Sequence, residues 1–198
     1  LLGSELTLKV LSTLTLSFLA IYVLTQRKPL QARASMIGLP LVLIVVILLL
    51  PGRGKFYTRL YQVATGLESV ALHESGDGIL AITFRGDKTD PAELWIGGVK
   101  HSFFPSDGYY ERSAMTCASA AHPKRILIIG LGGGNTANFL TSLPGVEEVV
   151  IVELMQELGG FLNEYVPVTQ SALDHAFVRY IVDDGRRYLY ANPDEKFD

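Results

Sequence analysis

Cysteine occurs once, as Cys117, in a chain of 198 residues. An internal disulfide is therefore excluded, and no cysteine pair is available to hold zinc or run dithiol chemistry. Histidine is nearly as sparse. His73, His101, His122 and His175 stand singly, without metal-ligand spacing, so no metal site is expected. Cationic residues do not dominate: 17 Lys and Arg face 20 Asp and Glu, for a net charge of −3. No basic stripe is present, and nucleic acid is not an expected partner. No internal repeat or low-complexity tract stands out, so the chain does not read as a repeat array.

Apolar residues are plentiful but unevenly spread. Leu8 to Leu24 is largely apolar, broken by Lys9 and several Ser and Thr. Met36 to Leu50 reads MIGLPLVLIVVILLL, an uncharged run closed by Pro51. With Ala34, Ser35, Pro51 and Gly52 the second run approaches the ~20 residues that cross a bilayer. Together the runs predict a helical hairpin in lipid. Two buried core helices are the rival, but LVLIVVILLL offers no polar face to a soluble surface. A signal peptide is the second rival, and no cleavage site with matching flanks precedes the next apolar run. Arg27, Lys28 and Arg33 lie between the runs, and Arg53, Lys55 and Arg59 follow the second. The positive-inside rule therefore gives no orientation.

The chain divides into residues 1–51, a membrane segment; 52–67, a juxtamembrane connector; 68–107, a small β domain; and 108–198, a nucleotide-binding domain. In the connector, Phe56, Tyr57, Tyr61 and the neighbouring basic residues suit a headgroup interface. In the β domain, GILAITFR (Gly78 to Arg85) and AELWIGGVKHS (Ala92 to Ser102) are strand-like, separated by the polar turn GDKTDP. Tyr109 to Ala121 reads as a helix.

Arg125 to Glu153 carries the most information. RILIIG, LGGGN, TANFLTSLPGV and EEVVIVE follow one another. An apolar run of buried-strand type meets glycines, then a helix, then a second strand ending on a carboxylate, the order of a nucleotide-binding βαβ unit. Gly130, Gly132, Gly133 and Gly134 allow a sharp turn and close approach of a ligand to backbone. Glu153, at the end of the second strand, can accept hydrogen bonds from both hydroxyls of a ribose. A tight turn and a solvated strand end is the plainer alternative. After a helix over Leu154 to Tyr165 and a loop with Pro167, AFVRYIV (Ala176 to Val182) predicts a third strand, ending in Asp183, Asp184 and Gly185. Asp184 could accept from an adenine amino group, with Gly185 permitting close approach, or it could cap the helix GRRYLY. Lys196, Phe197 and Asp198 read as the entry to a fourth strand. The missing initiator methionine and this strand entry together suggest a piece of a longer protein.

From about Val70 onward the sequence resembles the polyamine aminopropyltransferases, the spermidine and spermine synthase family. ELWIGGVKHS is similar to a family strand ending in Asp-Gly-x-x-Gln. GYYERSAM is similar to its Tyr-His-Glu helix start, with Tyr109 and Glu111 in register as substrate-binding residues. ILIIGLGGGN is similar to its glycine motif, VVIVEL puts Glu153 on its ribose-binding glutamate, and VDDGRRYL puts Asp184 and Gly185 on its adenine-contacting pair. KFD is similar to the start of its next strand. Departures accompany these matches. Gly133 stands where the family has an aspartate for the aminopropyl end of the donor, Tyr110 replaces its His or Gln, Asp77 lies near its upstream glutamine, and Leu154-Met155 replaces Ile-Asp.

The resemblance implies an α/β, Rossmann-like fold of methyltransferase type, preceded by a small β meander and by transmembrane helices. It implies aminopropyl transfer from decarboxylated S-adenosylmethionine to a small amine, with a general base at or after the chain end. No tightly bound cofactor is expected, the adenosyl compound being a co-substrate. Asp107, Glu111 and Asp184 are the acids available near an amine. Methyl transfer from S-adenosylmethionine itself is the first alternative, because Gly133 suits a donor that keeps its carboxylate. A non-catalytic adenosyl-sensing module on a membrane protein is the second. NAD binding fits less well, since the glycines run Gly-x-Gly-Gly-Gly without a later small residue. The expected partners are a small amine and membrane lipid, with a homo-oligomer left open, and the cytosolic origin of adenosyl donors puts the soluble part on the cytoplasmic face.

Overall fold

The structure is a computed structural model, and it describes residues 4–25, 41–42, 44–45, 47–49, 54–106 and 108–198. Two compact units result, Leu1–Leu60 and Tyr61–Asp198.

In the first unit, helix α1 (Ser4–Thr25) is apolar around its circumference, and Leu6, Leu11, Leu14, Phe18 and Ile21 are all exposed. Three hydroxyls that interrupt the apolar sequence turn back on their own helix. Thr13 Oγ1 donates to Lys9 O at 2.7 Å, Thr15 Oγ1 to Leu11 O at 2.9 Å and Ser17 Oγ to Thr13 O at 2.8 Å. Such bonds hide polar groups without a partner helix. The window Glu5–Tyr22 has a mean hydropathy of 1.3, enough by length and composition for a membrane span or a signal sequence. Most of the second apolar run, Met36 to Leu50, lies outside the described residues; those described within it are helical. The connector holds a helix, α2 (Lys55–Thr65), which leads from the first unit into the second.

The second unit opens with four antiparallel strands in sequential order: β1 (Ser69–Glu74), β2 (Ile79–Phe84), β3 (Pro91–Ile96) and β4 (Val99–Phe103). The segment Ala92 to Ser102, expected as one strand, is a hairpin. Gly97 and Gly98, at φ 58° and 84°, reverse the chain in the left-handed conformations that a two-residue hairpin turn requires. β1 was not expected, because SVALHE mixes polar and apolar residues on a half-buried edge. β2 supplies the core of this layer, with Leu80, Ile82 and Phe84 fully buried.

Helix α3 (Tyr109–Ala121) leads into the parallel sheet β5 (Arg125–Ile129), β6 (Glu148–Glu153) and β7 (Val178–Val182), ordered β5-β6-β7. Central β6 is buried on both faces. Val149 and Ile151 face one hydrophobic cluster, and Val150 and Val152 face the other with Tyr188. This explains the unbroken apolar reading of EVVIVE. Helix α4 (Asn135–Thr141) joins β5 to β6, and α5 (Leu158–Tyr165) with α6 (Pro167–Leu173) joins β6 to β7. The helix expected from Leu154 begins later, at Leu158, because residues 154–157 form a turn in which the Leu158 amide reaches Met155 O at 3.3 Å. The loop expected at Pro167 is instead α6, with proline at its first position, where a missing N–H costs nothing. The third strand starts at Val178 rather than Ala176, after a turn closed by Val178 N to His175 O at 2.9 Å. Helix α7 (Gly185–Ala191) follows β7. Beyond it, the Asp198 amide donates to Arg125 O at 3.0 Å, so residue 198 hydrogen-bonds to the first residue of β5.

Candidate adenosyl-binding site

The glycine loop between β5 and α4 is clamped from several sides. The Gly130 amide donates to Val152 O at 2.8 Å, tying the loop to β6. Thr169 Oγ1 of α6 donates to Gly133 O at 2.9 Å in a buried bond. Side chains at two positions are excluded by close approach. A Cβ on Gly133 would stand 2.8 Å from Ser102 Oγ and 3.2 Å from the Phe104 ring, so the loop lies directly against β4. A Cβ on Gly134 would stand 3.0 Å from the Thr169 backbone, and Gly134 also holds φ 81°.

Glu153 ends β6 beneath this loop and is 7 % exposed. Its Oε2 accepts from the Leu131 amide at 2.8 Å, and its Oε1 accepts from the Met155 amide at 2.9 Å. The carboxylate thereby fixes both the glycine loop and the turn after β6. Each oxygen has a second lone pair, so this role leaves acceptor capacity for a ligand. Tyr180 of β7 lies near Glu153, and its ring backs Gly159. Burial and the charge of Glu153 push the Tyr180 hydroxyl up to about 12, so it is neutral at physiological pH.

A cavity of about 510 Å³ opens on the loop. Gly130, Gly132 and Gly133 line it, with Tyr109 of α3 and Ser102 of β4 opposite. Of the residues expected from sequence, the structure thus gathers three glycines and Tyr109 around one space. Gly134 lies behind, against Thr169. Glu111, in the first turn of α3, does not line the cavity; its Oε2 is buried and accepts no hydrogen bond. Asp107 lies outside the described residues.

Asp184 takes the capping role that its sequence also allowed. Its Oδ1 accepts from the Arg186 and Arg187 amides at 2.9 and 3.0 Å. These bonds, that from Arg187 first, hold its carboxyl below the usual carboxylate range. Asp183 pairs instead with the Arg187 side chain. Gly185 packs on Ile129, which lines the cavity, and a Cβ there would stand 2.5 Å from Ile129 Cγ2.

Sequence reasoning passed over Ser102, Ser106, Asn135 and Thr136, which also line the cavity. Ser102 could have been found from the Gly97-Gly98 turn, which folds β4 back along β3. Asp77, on the turn between β1 and β2, accepts from the Gln156 amide at 3.3 Å, so the antiparallel layer also reaches the turn beyond Glu153.

Residues 110–198, which include the glycine loop and Glu153, match the profile of a protein family. The family that this profile describes is the spermine/spermidine synthase domain, and the match covers the C-terminal part of the chain. Curated relatives agree. The chain is 33 % identical over 72 residues to the polyamine aminopropyltransferase of Clostridium beijerinckii, covering 36 % of this chain and 25 % of that protein. It is 33 % identical over 88 residues to that of Agathobacter rectalis, covering 43 % and 31 %. It is 36 % identical over 77 residues to that of Thermococcus onnurineus, covering 39 % and 27 %. The matched part therefore spans between a quarter and a third of these relatives. In three dimensions the chain resembles spermidine synthase from Thermotoga maritima, with a TM-score of 0.57 at 19 % identity over 63 % of this chain and 44 % of the other. A spermidine synthase in complex with the transition-state analogue AdoDATO gives the same score and identity over 63 % and 43 %. At that identity the likeness speaks for the α/β fold. Within residues 110–198, the position where the resembled family has an acid, Gly133, has no room for a side chain while Ser102 and Phe104 stand where they do.

Proposed function

We propose that the chain is part of a membrane-anchored transferase that moves an aminopropyl group from decarboxylated S-adenosylmethionine to a small amine. The observation that carries this reading is Glu153, held beneath the glycine loop by the Leu131 and Met155 amides, at the strand end where a ribose diol is gripped. Gly130, Gly132 and Gly133 keep bare backbone beside the adenosyl group, and Gly134 behind them lets the loop pack on Thr169. Asp184 and Gly185 stand at the end of β7, where an adenine edge would meet them. Tyr109 lines the cavity on the acceptor side, and Glu111, which stands outside the cavity lining, is assigned to the amine by sequence register alone. In the reaction, the amine nitrogen attacks the propyl carbon next to the sulfonium. The carbon–sulfur bond breaks with its electron pair passing to sulfur, which becomes a neutral thioether, and a carboxylate takes the proton released by nitrogen. The protein's main task is alignment of nucleophile and carbon.

One observation favours a second reading. Among the described residues that line the cavity none is a carboxylate, and Gly133 cannot carry one without displacing Ser102. A donor that keeps its own carboxylate, S-adenosylmethionine, would suit such a wall, with methyl transfer as the chemistry. Calorimetry of the full chain with both donors separates the two. Tighter binding of the decarboxylated form is expected, and tighter binding of the carboxylated form replaces the first reading with the second. No heat with either donor overturns both. No tightly held cofactor is needed.

The lipid anchor comprises α1 and the run Met36 to Leu50, with the soluble unit on the cytoplasmic side where adenosyl donors are made. Reporter fusions after Asp198 that are active only outside the cytoplasm would overturn this placement.

A further inference from the structure

An apolar helix should not begin with a buried acid, yet Glu5 is 8 % exposed. Both of its oxygens are engaged by residues far along the chain. Oε2 accepts from the Gly54 amide at 2.8 Å, and Oε1 accepts from the Phe56 amide at 3.0 Å. These amides head α2, whose first turn has no acidic residue of its own. Amides at a helix start lack intrahelical partners and carry the positive end of the dipole. Glu5 satisfies them from the first turn of α1, as a local cap would. An ionised carboxylate is costly in hydrocarbon, so Glu5 belongs at the level of the headgroups.

Resting on the membrane-anchor reading, we infer that Glu5 staples the two ends of a hairpin that crosses the bilayer twice, so that the Glu5 end of α1 and the chain from Gly54 onward lie on the same membrane face. The 22 residues of α1 extend about 33 Å at ~1.5 Å per residue, enough to cross ~30 Å of hydrocarbon. Thr25 then emerges on the opposite face. Gly54 is hydrogen-bonded to Glu5, so the connection from Thr25 to Gly54 must cross back. That connection contains the uncharged sequence Met36 to Leu50. Lys55 and Arg59, which follow Gly54, share the face of Glu5. The loop charges could not choose between orientations; the Glu5 staple fixes which segments share a side.

The test uses the full chain in sealed membrane vesicles, with Cys117 replaced by Ser and single cysteines placed by Ser4→Cys, Gln31→Cys and Asp87→Cys. A membrane-impermeant maleimide is expected to reach Ser4→Cys and Asp87→Cys from one side and Gln31→Cys only from the other. Labelling of Ser4→Cys and Asp87→Cys from opposite sides overturns the inference, as does labelling of all three from one side. Alkaline carbonate extraction is read in parallel. Release into the supernatant removes the anchor reading itself, whereas retention with the wrong labelling pattern removes the staple alone. A Ser4→Cys/Lys55→Cys pair should be joined by a short bis-maleimide, and Glu5→Ala should lower that yield severalfold. An unchanged yield in Glu5→Ala would show that the carboxylate does not hold the ends together.

Discussion

Gly133 is confined by its neighbours. Gly133→Ala places a methyl group 2.8 Å from Ser102 Oγ, and the loop or β4 must give way. Overpacking of this kind typically costs about 1–3 kcal/mol. Urea unfolding should register that loss, and Ser102→Gly in the same chain should recover much of it; no recovery would mean that Ser102 is not the obstacle. Glu153 makes a different demand. Glu153→Ala strands the buried Leu131 and Met155 amides, at about 1–3 kcal/mol for each group left unpaired. If Glu153 also grips a ribose, Glu153→Gln should lose adenosyl binding in calorimetry while unfolding at a denaturant concentration closer to the wild type. Retained binding in Glu153→Gln would leave Glu153 a purely structural residue.

Two helix ends lend themselves to measurement. His122 closes α3 in the left-handed region, at φ 48°, with its amide on Ala118 O at 2.9 Å. A residue with a Cβ is strained there by about 1–2 kcal/mol. His122→Gly should therefore raise the melting temperature, less the entropy that glycine adds to the unfolded chain. Asp184 caps α7 as a carboxylate whose pKa is depressed by the Arg187 and Arg186 amides. A depressed folded pKa means stability that is present above the unfolded value of about 3.9 and is lost as pH falls through the folded value. Asn keeps an accepting oxygen but not the charge. The melting-temperature gap between wild type and Asp184→Asn should be full at neutral pH and close in acid; a gap independent of pH would mean that the charge contributes nothing.

Much of the whole molecule was legible beforehand. β5, β6 and α3 were readable because continuous apolar runs and a clean helical segment have few other uses. The glycine loop and Glu153 were readable because they are contiguous with those strands. The hairpin at Gly97-Gly98 was missed because ELWIGGVKHS has strand-forming residues on both sides of its turn, which together read as one strand. Ser102 was missed for the same reason, since only the reversal of β4 carries it to the loop. The turn over residues 154–157 was read as helix because its residues suit one. What decides otherwise is the Glu153 carboxylate, which captures the Met155 amide. Neither Glu5 nor its partners could be paired from sequence, because Gly54 and Phe56 lie 49 and 51 residues away.

The position of Ser102 and Phe104 against Gly133 bears on how the protein may be subdivided. One side of the cavity belongs to the antiparallel layer, so a recombinant fragment beginning at Arg125 would bear an open gash along its glycine loop. A soluble version suited to crystallisation should keep everything from the first meander strand onward, and trimming closer to the matched domain would yield a protein that folds around a missing wall.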